Sequence, residues 1–227
     1  MKSSFRHITD WVFDLDNTLY PHHSNLFSQI DANMTAYVRE LLQLPADEAR
    51  ELQKRYYVEY GTTLKGLVDL HGIDADDFLQ KAHDIDYSWL APDPALGEAI
   101  RALPGRKFIF TNGDRGHAER TARALGILNH FDEIFDIVAA DLVPKPAGET
   151  YHKFLALHRV DAAHAAMFED LARNLIVPKA LGMATVLIVP NNLGDDFSAM
   201  RAEGLFDQVD HVTDDLAGFL RDVLDGA

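Results

Sequence analysis

The chain contains no cysteine. Disulfide staples, thiolate metal sites and cysteine nucleophiles are therefore excluded. No apolar run approaches the roughly 20 residues that span a bilayer. The opening MKSSFRHITD lacks the apolar stretch of a secretory leader. Positive charge is scarce: 21 lysines and arginines stand against 36 aspartates and glutamates, a formal net charge of −15. That field repels phosphate backbones and argues against nucleic acid as a partner. It also repels a small anionic ligand, so a site for one needs local positive charge from basic residues or a metal ion. No membrane partner is expected, and the expected location is cytoplasmic. Zinc is not indicated either. The 11 histidines form no His-Glu-x-x-His run, and adjacent His22 and His23 diverge on most backbones. Oligomeric state is not written in the chain.

What is present suits one large domain, or one domain carrying a smaller insert: 227 residues, 47% of them hydrophobic. Residues 8–14, ITDWVFD, form a short apolar strand ending in a turn signal. From 21 to 92 the pattern is helical. In 25–42, Phe27, Ile30, Met34, Val38 and Leu41 recur at steps of three and four. Pro45 opens a second helix that stops at Gly61, with Ala49, Leu52, Tyr56 and Tyr60 on its inner face. A third ends near His71-Gly72, and Asp74 is a good N-cap for a fourth. The run APDP at 91–94 marks a boundary. Beyond it strands and helices alternate. RKFIFT, EIFDIVAA, AAMFE, MATVLIVP and DQVDHVT read as strands, with helical segments between them. Alternation of this kind predicts an α/β fold, a Rossmann-like doubly wound parallel sheet with helices on both faces. The expected division is a core from 1–20 and 93–227, with a small α-helical cap inserted at 21–92.

Doubly wound sheets bind ligands at the carboxyl ends of their strands, and four such ends carry chemistry. The first is Asp14-Leu-Asp16-Asn-Thr18. Residues i and i+2 of an extended segment point the same way, and adjacent carboxylates repel unless a cation joins them. One can attack an electrophile while the other carries a proton. Asp74-Ala-Asp76 and Asp84-Ile-Asp86 repeat the spacing inside the helical stretch, but neither follows an apolar strand. The second end is Thr111-Asn112-Gly113, a hydroxyl, an amide and a glycine that admits close backbone approach, or else an ordinary turn and helix cap. The third is Val143-Pro-Lys145-Pro146, where two prolines hold one lysine in a stiff segment. The fourth is Phe168-Glu169-Asp170, hard oxygen ligands of the kind that suit Mg²⁺. The competing role for Asp170, an N-cap, is one that Asn174 can fill.

Taken in order, these residues resemble the haloacid dehalogenase-like superfamily of phosphotransferases. Asp14, Asp16 and Thr18 match its Asp-x-Asp-x-Thr motif, Thr111 its strand-end Thr or Ser, Lys145 its lysine, and Glu169 with Asp170 its acidic pair. The stretches FDLDNTLYP, YGTTLKGL, DIDY, FTNGD and FEDLARNL resemble the pyrimidine 5′-nucleotidase-like branch. In similar capped enzymes the loop corresponding to YGTTLKG reaches over the active site, which makes Tyr60, Thr62, Thr63 and Lys65 candidate substrate contacts. Tyr56 is read as cap packing. The fourth motif often carries a second Asp where this chain has Asn174, and Pro178 falls in the helix that follows.

The resemblance implies a Mg²⁺-dependent phosphomonoester hydrolase acting on a small phosphorylated metabolite, with a nucleoside 5′-monophosphate as the expected substrate. Asp14 would attack phosphorus and Asp16 would carry the proton. Mg²⁺ would sit among Asp14, the backbone carbonyl of Asp16, and Asp170, with Glu169 a ligand or close behind. Thr111, Asn112, Gly113 and Lys145 would hold the phosphoryl oxygens. Thr18 would bond within the turn. A dehalogenase needs no acid at the position of Asp16 and no metal. A phosphonatase would want a cap lysine forming a Schiff base, and nothing marks Lys54, Lys65 or Lys81 for it. Phosphoglycolate or sugar-phosphate phosphatases and phosphomutases share the same chemistry. A phospho-accepting switch domain also has acids, a Thr and a Lys at strand ends, but is usually about half this length and lacks a helical insert.

Overall fold

The computed structural model describes residues 5–190 and 207–226. Residues 1–4, 191–206 and 227, which the sequence assigns to the core, lie outside them. The described strands are β1 (Asp10–Phe13), β2 (Arg106–Phe110), β3 (Glu133–Phe135), β4 (Ala165–Glu169), β5 (Ala184–Ile188) and β6 (His211–Thr213). They form one six-stranded sheet in the order β3-β2-β1-β4-β5-β6, every pairing parallel. Parallel neighbours need crossover connections. Helices α5 (Pro94–Ala102), α6 (Arg115–Ala124), α7 (Gly148–His158), α8 (Ile176–Leu181) and α9 (Leu216–Leu224) alternate with the later strands.

Strand alternation sends side chains to two separate apolar layers. Trp11 and Phe13 join Ile109, Phe168 and Val186 under Phe219 and Leu220 of α9. Val12 between them joins Phe108, Phe110 and Met167 against Tyr151 and Phe154 of α7. β1 is fully buried with β2 and β4 at its sides, which explains its unbroken apolar run. The strand order reverses direction between β1 and β4. In open α/β sheets that reversal opens the ligand crevice, and the segments leaving these two strands carry Asp14 and Asp170.

Between β1 and α5 the chain makes α1 (Leu26–Leu42), α2 (Ala46–Tyr60), α3 (Thr63–His71) and α4 (Ala75–Ala82). They pack around an apolar cluster of their own, including Val38, Ala49, Tyr56, Leu67 and Phe78. Asp74 caps α4 through the N–H groups of Asp76 and Asp77, and Asp86 caps the next 3₁₀ turn through Ser88. Both spare Asp-x-Asp pairs are therefore cap sites. Tyr56 is buried, its hydroxyl 2.7 Å from His71 Nε2.

Several expectations need correction. The α1 stripe is not all core: Phe27 and Leu41 are exposed at 36% and 40%. Phe27, Ile30 and Met34 line a cavity between these helices and the sheet. EIFDIVAA is strand only over its first three residues. The Asp136 carboxylate accepts from the backbone N–H groups of Arg115 and Ala139 and turns the chain there. Asn174 caps nothing. Pro178 is the third residue of α8, where its missing N–H is one a helix start leaves unpaired in any case.

One turn fixes the sheet from below. Gly105, just before β2, has φ +79°, and a Cβ there would lie 2.1 Å from the carbonyl oxygen of Thr9. The next residue needs that carbonyl, because Arg106 N donates to it at 2.8 Å. Gly105→Ala is expected to lower the unfolding free energy in urea by at least about 2 kcal/mol. A loss below about 0.5 kcal/mol, within ordinary surface variation, would count against this reading.

Candidate active site

The ends of β1, β2 and β4 converge with the loop that carries Lys145, ten residues beyond β3, on one cavity of about 290 Å³. Its floor holds Asp14, Asp16, Thr111, Asn112, Gly113, Lys145, Glu169 and Asp170, and α1–α4 supply its other wall. Lys145 is 1% exposed. Its three ammonium hydrogens have three acceptors: Asp14 Oδ1 at 2.7 Å, Glu169 Oε1 at 2.8 Å and the Phe110 carbonyl at 2.8 Å. Burial would lower its pKa, but Asp14 and Glu169 outweigh burial and hold it above the ordinary lysine value. The flanking prolines and Asn112 aim it. Asn112 accepts from Lys145 N at 2.8 Å and donates to the Lys145 carbonyl at 3.2 Å. Asn112 is thus largely a clamp on the lysine loop.

Thr111 is buried, and its Oγ1 accepts the Gly113 N–H at 2.9 Å. The expected Gly113 donor is therefore turned inward. Thr18 donates to Asp14 Oδ2 at 3.0 Å, so its partner in the turn is the carboxylate of Asp14. Asn17, at φ 61°, reverses the chain between them.

The side-chain oxygens of Asp14, Glu169 and Asp170 lie within 4.8 Å of one another. Among the described residues only one lysine faces these three acids, with His22 Nε2 3.8 Å from Asp170 Oδ2. Asp14 is raised to about 7 by burial, against the pull of Lys145 and with repulsion from Glu169 and Asp16. Asp170 is pushed well above the ordinary carboxylate range by burial, then by Glu169 and Asp14. Such a donor set fits a hard divalent cation. The Asn174 side-chain oxygen is buried without a hydrogen-bond partner, a further oxygen beside the cluster. Glu169 already accepts from Lys145, from Leu171 N at 2.8 Å and from Asn174 Nδ2 at 2.6 Å. This leaves Asp14 and Asp170 with the freer oxygens. Asn174 can donate to Glu169 where an Asp could only repel it.

Asp16 stands apart from that cluster. Its Oδ1 accepts from Tyr20 at 2.5 Å and meets His117 Nε2 at 2.9 Å. Burial acts to raise its pKa, but His117 and Tyr20 outweigh burial and bring it below the ordinary value. The sequence reading missed His117, Tyr20 and His83. The one available signal was a histidine one helical turn beyond Gly113, and nothing local ties it to Asp16.

Of the loop candidates, Thr62 and Thr63 line the cavity, while Tyr60 and Lys65 are not among its walls. Thr62 caps α3 through Lys65 N at 3.1 Å, and Thr63 donates to the Gln53 carbonyl at 3.3 Å. Lys65 pairs with Asp69. Tyr57, one helical turn before Gly61, lines the cavity instead, with Arg173 4.5 Å from its ring centre.

Among solved structures, a HAD phosphatase from Thermococcus onnurineus aligns with a TM-score of 0.61 at 18% identity, covering 96% of this chain and 99% of that one. The L-2-haloacid dehalogenase from Xanthobacter autotrophicus, with chloropropionic acid covalently bound, aligns at 0.59 and 16% identity, covering 97% and 100%. These likenesses are of fold. Phosphate metabolism protein 8 of Saccharomyces cerevisiae is 35% identical over 136 residues, 55% of this chain and 42% of that protein. The chain therefore spans less than half the length of this curated relative. Among the described residues, no helix is long and apolar enough to cross a membrane. The model of the haloacid dehalogenase-like hydrolases matches residues 12–182, from β1 through α8, and the chain belongs to that family.

Proposed function

We propose that this chain is a Mg²⁺-dependent phosphomonoester hydrolase that works through an aspartyl-phosphate on Asp14. Its preferred substrates are nucleoside 5′-monophosphates, pyrimidine before purine, with residues 21–92 acting as a cap. The observation that carries the reading is the unequal treatment of the two acids. Asp14 sits with Lys145 among buried acids suited to a cation, while Asp16 is a separately anchored carboxylate on the same cavity. A halide leaving group needs no proton, whereas an alkoxide does.

An Asp14 oxygen attacks phosphorus, and the bond to the leaving oxygen breaks. Asp16 gives its proton to that oxygen. Asp16 then takes a proton from the water that attacks the phosphorylated Asp14, releasing phosphate and the free carboxylate. Lys145, within reach of Asp14, neutralises charge gathering on the phosphoryl oxygens, and Thr111 offers its hydroxyl there. Asp14 and Asp170, backed by Glu169, are the residues to hold Mg²⁺, which when bound would offset repulsion between the nucleophile and the phosphate.

The leaving-group end supports a neutral, flat group. The cap side of the cavity is Phe27, Ile30, Met34, Leu64, Phe78, Leu79 and Ala82, with Tyr57, Thr62, Thr63, His22 and His83, and brings no lysine or arginine. A carboxylate such as that of phosphoglycolate would find no fixed cation there, since burial lowers the pKa of both His22 and His83, and burying it unpaired is costly.

Three outcomes follow. Asp14→Asn should lose on the order of 10³-fold or more in kcat while keeping its thermal midpoint within about 5 °C. Substantial turnover in a freshly made sample rules out Asp14 as the nucleophile. In a Mg²⁺ panel, UMP, CMP and dTMP should turn over faster than AMP, GMP, phosphoglycolate and sugar phosphates. Equal or better rates on the purine nucleotides or sugar phosphates would sink the pyrimidine preference. The third concerns pH. Asp14 titrates near 7 in the fold against an ordinary 3.8. In the metal-free protein its ionisation therefore withdraws stability as pH rises through that interval. A cation among the acids removes the cost, so Mg²⁺ should raise the melting temperature more at about pH 8 than at about pH 5.5. Equal shifts at both would contradict it.

A further inference from the structure

Asp16 is held by one oxygen only. Oδ1 contacts both Tyr20 and His117, and Oδ2 has no hydrogen-bond partner among the described residues, although Asp16 lines the cavity. His117 is fully buried and does not line the cavity itself. Its setting is over-determined. Its backbone N–H donates to Asp114 Oδ1 at 2.8 Å at the start of α6. Its ring stacks on His83 with centroids 4.4 Å apart and planes 7° apart. Its Nδ1 lies 3.0 Å from the Tyr87 hydroxyl. His83 is tied in turn to Asp114.

Those contacts select a tautomer. Tyr87 can donate its one hydroxyl hydrogen to His117 Nδ1 at 3.0 Å or to the His83 carbonyl at 3.3 Å. Given to the nearer Nδ1, it leaves the N–H of a neutral ring on Nε2, facing Asp16. Asp16 Oδ1 then receives two donors, and the carboxylate cannot rotate without losing both. Tyr20 alone would leave it free to swing about its single anchor.

We propose that His117 is a positioning residue: kept by Tyr87 with its N–H on Nε2, it pins Oδ1 of Asp16 so that Oδ2 alone carries the proton at the cavity. The assignment rests on the phosphatase reading, in which Oδ2 gives the proton to the departing oxygen as the P–O bond breaks and recovers one from the attacking water. Tyr87 belongs to the segment after α4, so the end of the helical insert helps aim a residue of the core.

The test uses the full chain with Mg²⁺ and two esters. UMP has an alkoxide leaving group that needs a proton. p-Nitrophenyl phosphate has an aryl oxide that leaves without one. kcat/KM reports the phosphorylation step for each. His117→Phe keeps an aromatic ring but removes the donor. It should lower kcat/KM for UMP by about 30-fold or more, and that for p-nitrophenyl phosphate by less than about threefold. His117→Gln returns an N–H at the reach of Nε2 and should recover UMP turnover to within about fivefold of the wild type. Should His117→Phe fail to fold by circular dichroism, Tyr87→Phe decides. It removes one hydroxyl and should give the same split, at about three- to tenfold on UMP. Equal losses on both esters, no loss on UMP, or no recovery with Gln overturns the assignment while the phosphatase reading stands. A wild-type chain inert on both esters overturns that reading, and the assignment with it.

Discussion

A buried ammonium holds this molecule's site together. Lys145 lies in the interior with Asp14 and Glu169 against it. Burying such charges is costly unless pairing and hydrogen bonding are complete. Here the lysine spends all three hydrogens, and its backbone is clamped by Asn112. Three different strand ends must therefore meet to satisfy one side chain. The crevice where they meet is the sheet's reversal point between β1 and β4. A lone lysine also answers the problem posed by a net charge of −15: attraction for an anion is concentrated where it is useful, and the remaining acids of the cluster call for a cation.

The two acids of the first motif share a spacing and little else. Asp14 is driven toward neutrality by burial and acidic neighbours, while donors keep Asp16 ionised more readily than a free carboxylate. Without a cation these directions oppose the proposed roles, because the carboxyl with the raised pKa is ordinarily the acid; a divalent cation beside Asp14 is what would return it to the ionised form a nucleophile needs. The difference does not come from the residues, which are identical. It comes from what each faces: a lysine and two acids on one side, a tyrosine and a histidine on the other.

The helical insert is bound to the same region by three kinds of contact. Gly61, in the turn between α2 and α3, would bring a Cβ to 3.0 Å from Pro144 in the lysine loop. Tyr57 stacks under Arg173 beyond the acidic pair. Tyr87 reaches His117. The insert's apolar residues serve two surfaces. Val38 and Tyr56 fill its own core, and Phe27, Ile30 and Met34 wall the cavity. A helix stripe reads the same in either case, because both surfaces exclude water.

Sequence alone determined the alternation of strands and helices, the run of helices after β1, and the three strand ends that carry Asp14, Thr111 and Glu169 with Asp170. These are local features: periodicity, proline boundaries and a polar group after an apolar run are legible within a few residues. Lys145, expected at a fourth strand end, comes instead from a loop ten residues beyond the end of β3. Tertiary structure alone decided the rest. Asp16 finds His117 across 101 positions, Asn112 is claimed by the lysine loop, and Gly113 turns its N–H to Thr111. Tyr57 lines the cavity in place of Tyr60, and Lys65 is drawn away to Asp69. Each of these is a choice of partner among groups of similar chemistry. Local pattern says which groups a segment offers; strand order and the packing of the insert decide which of them come within hydrogen-bond reach.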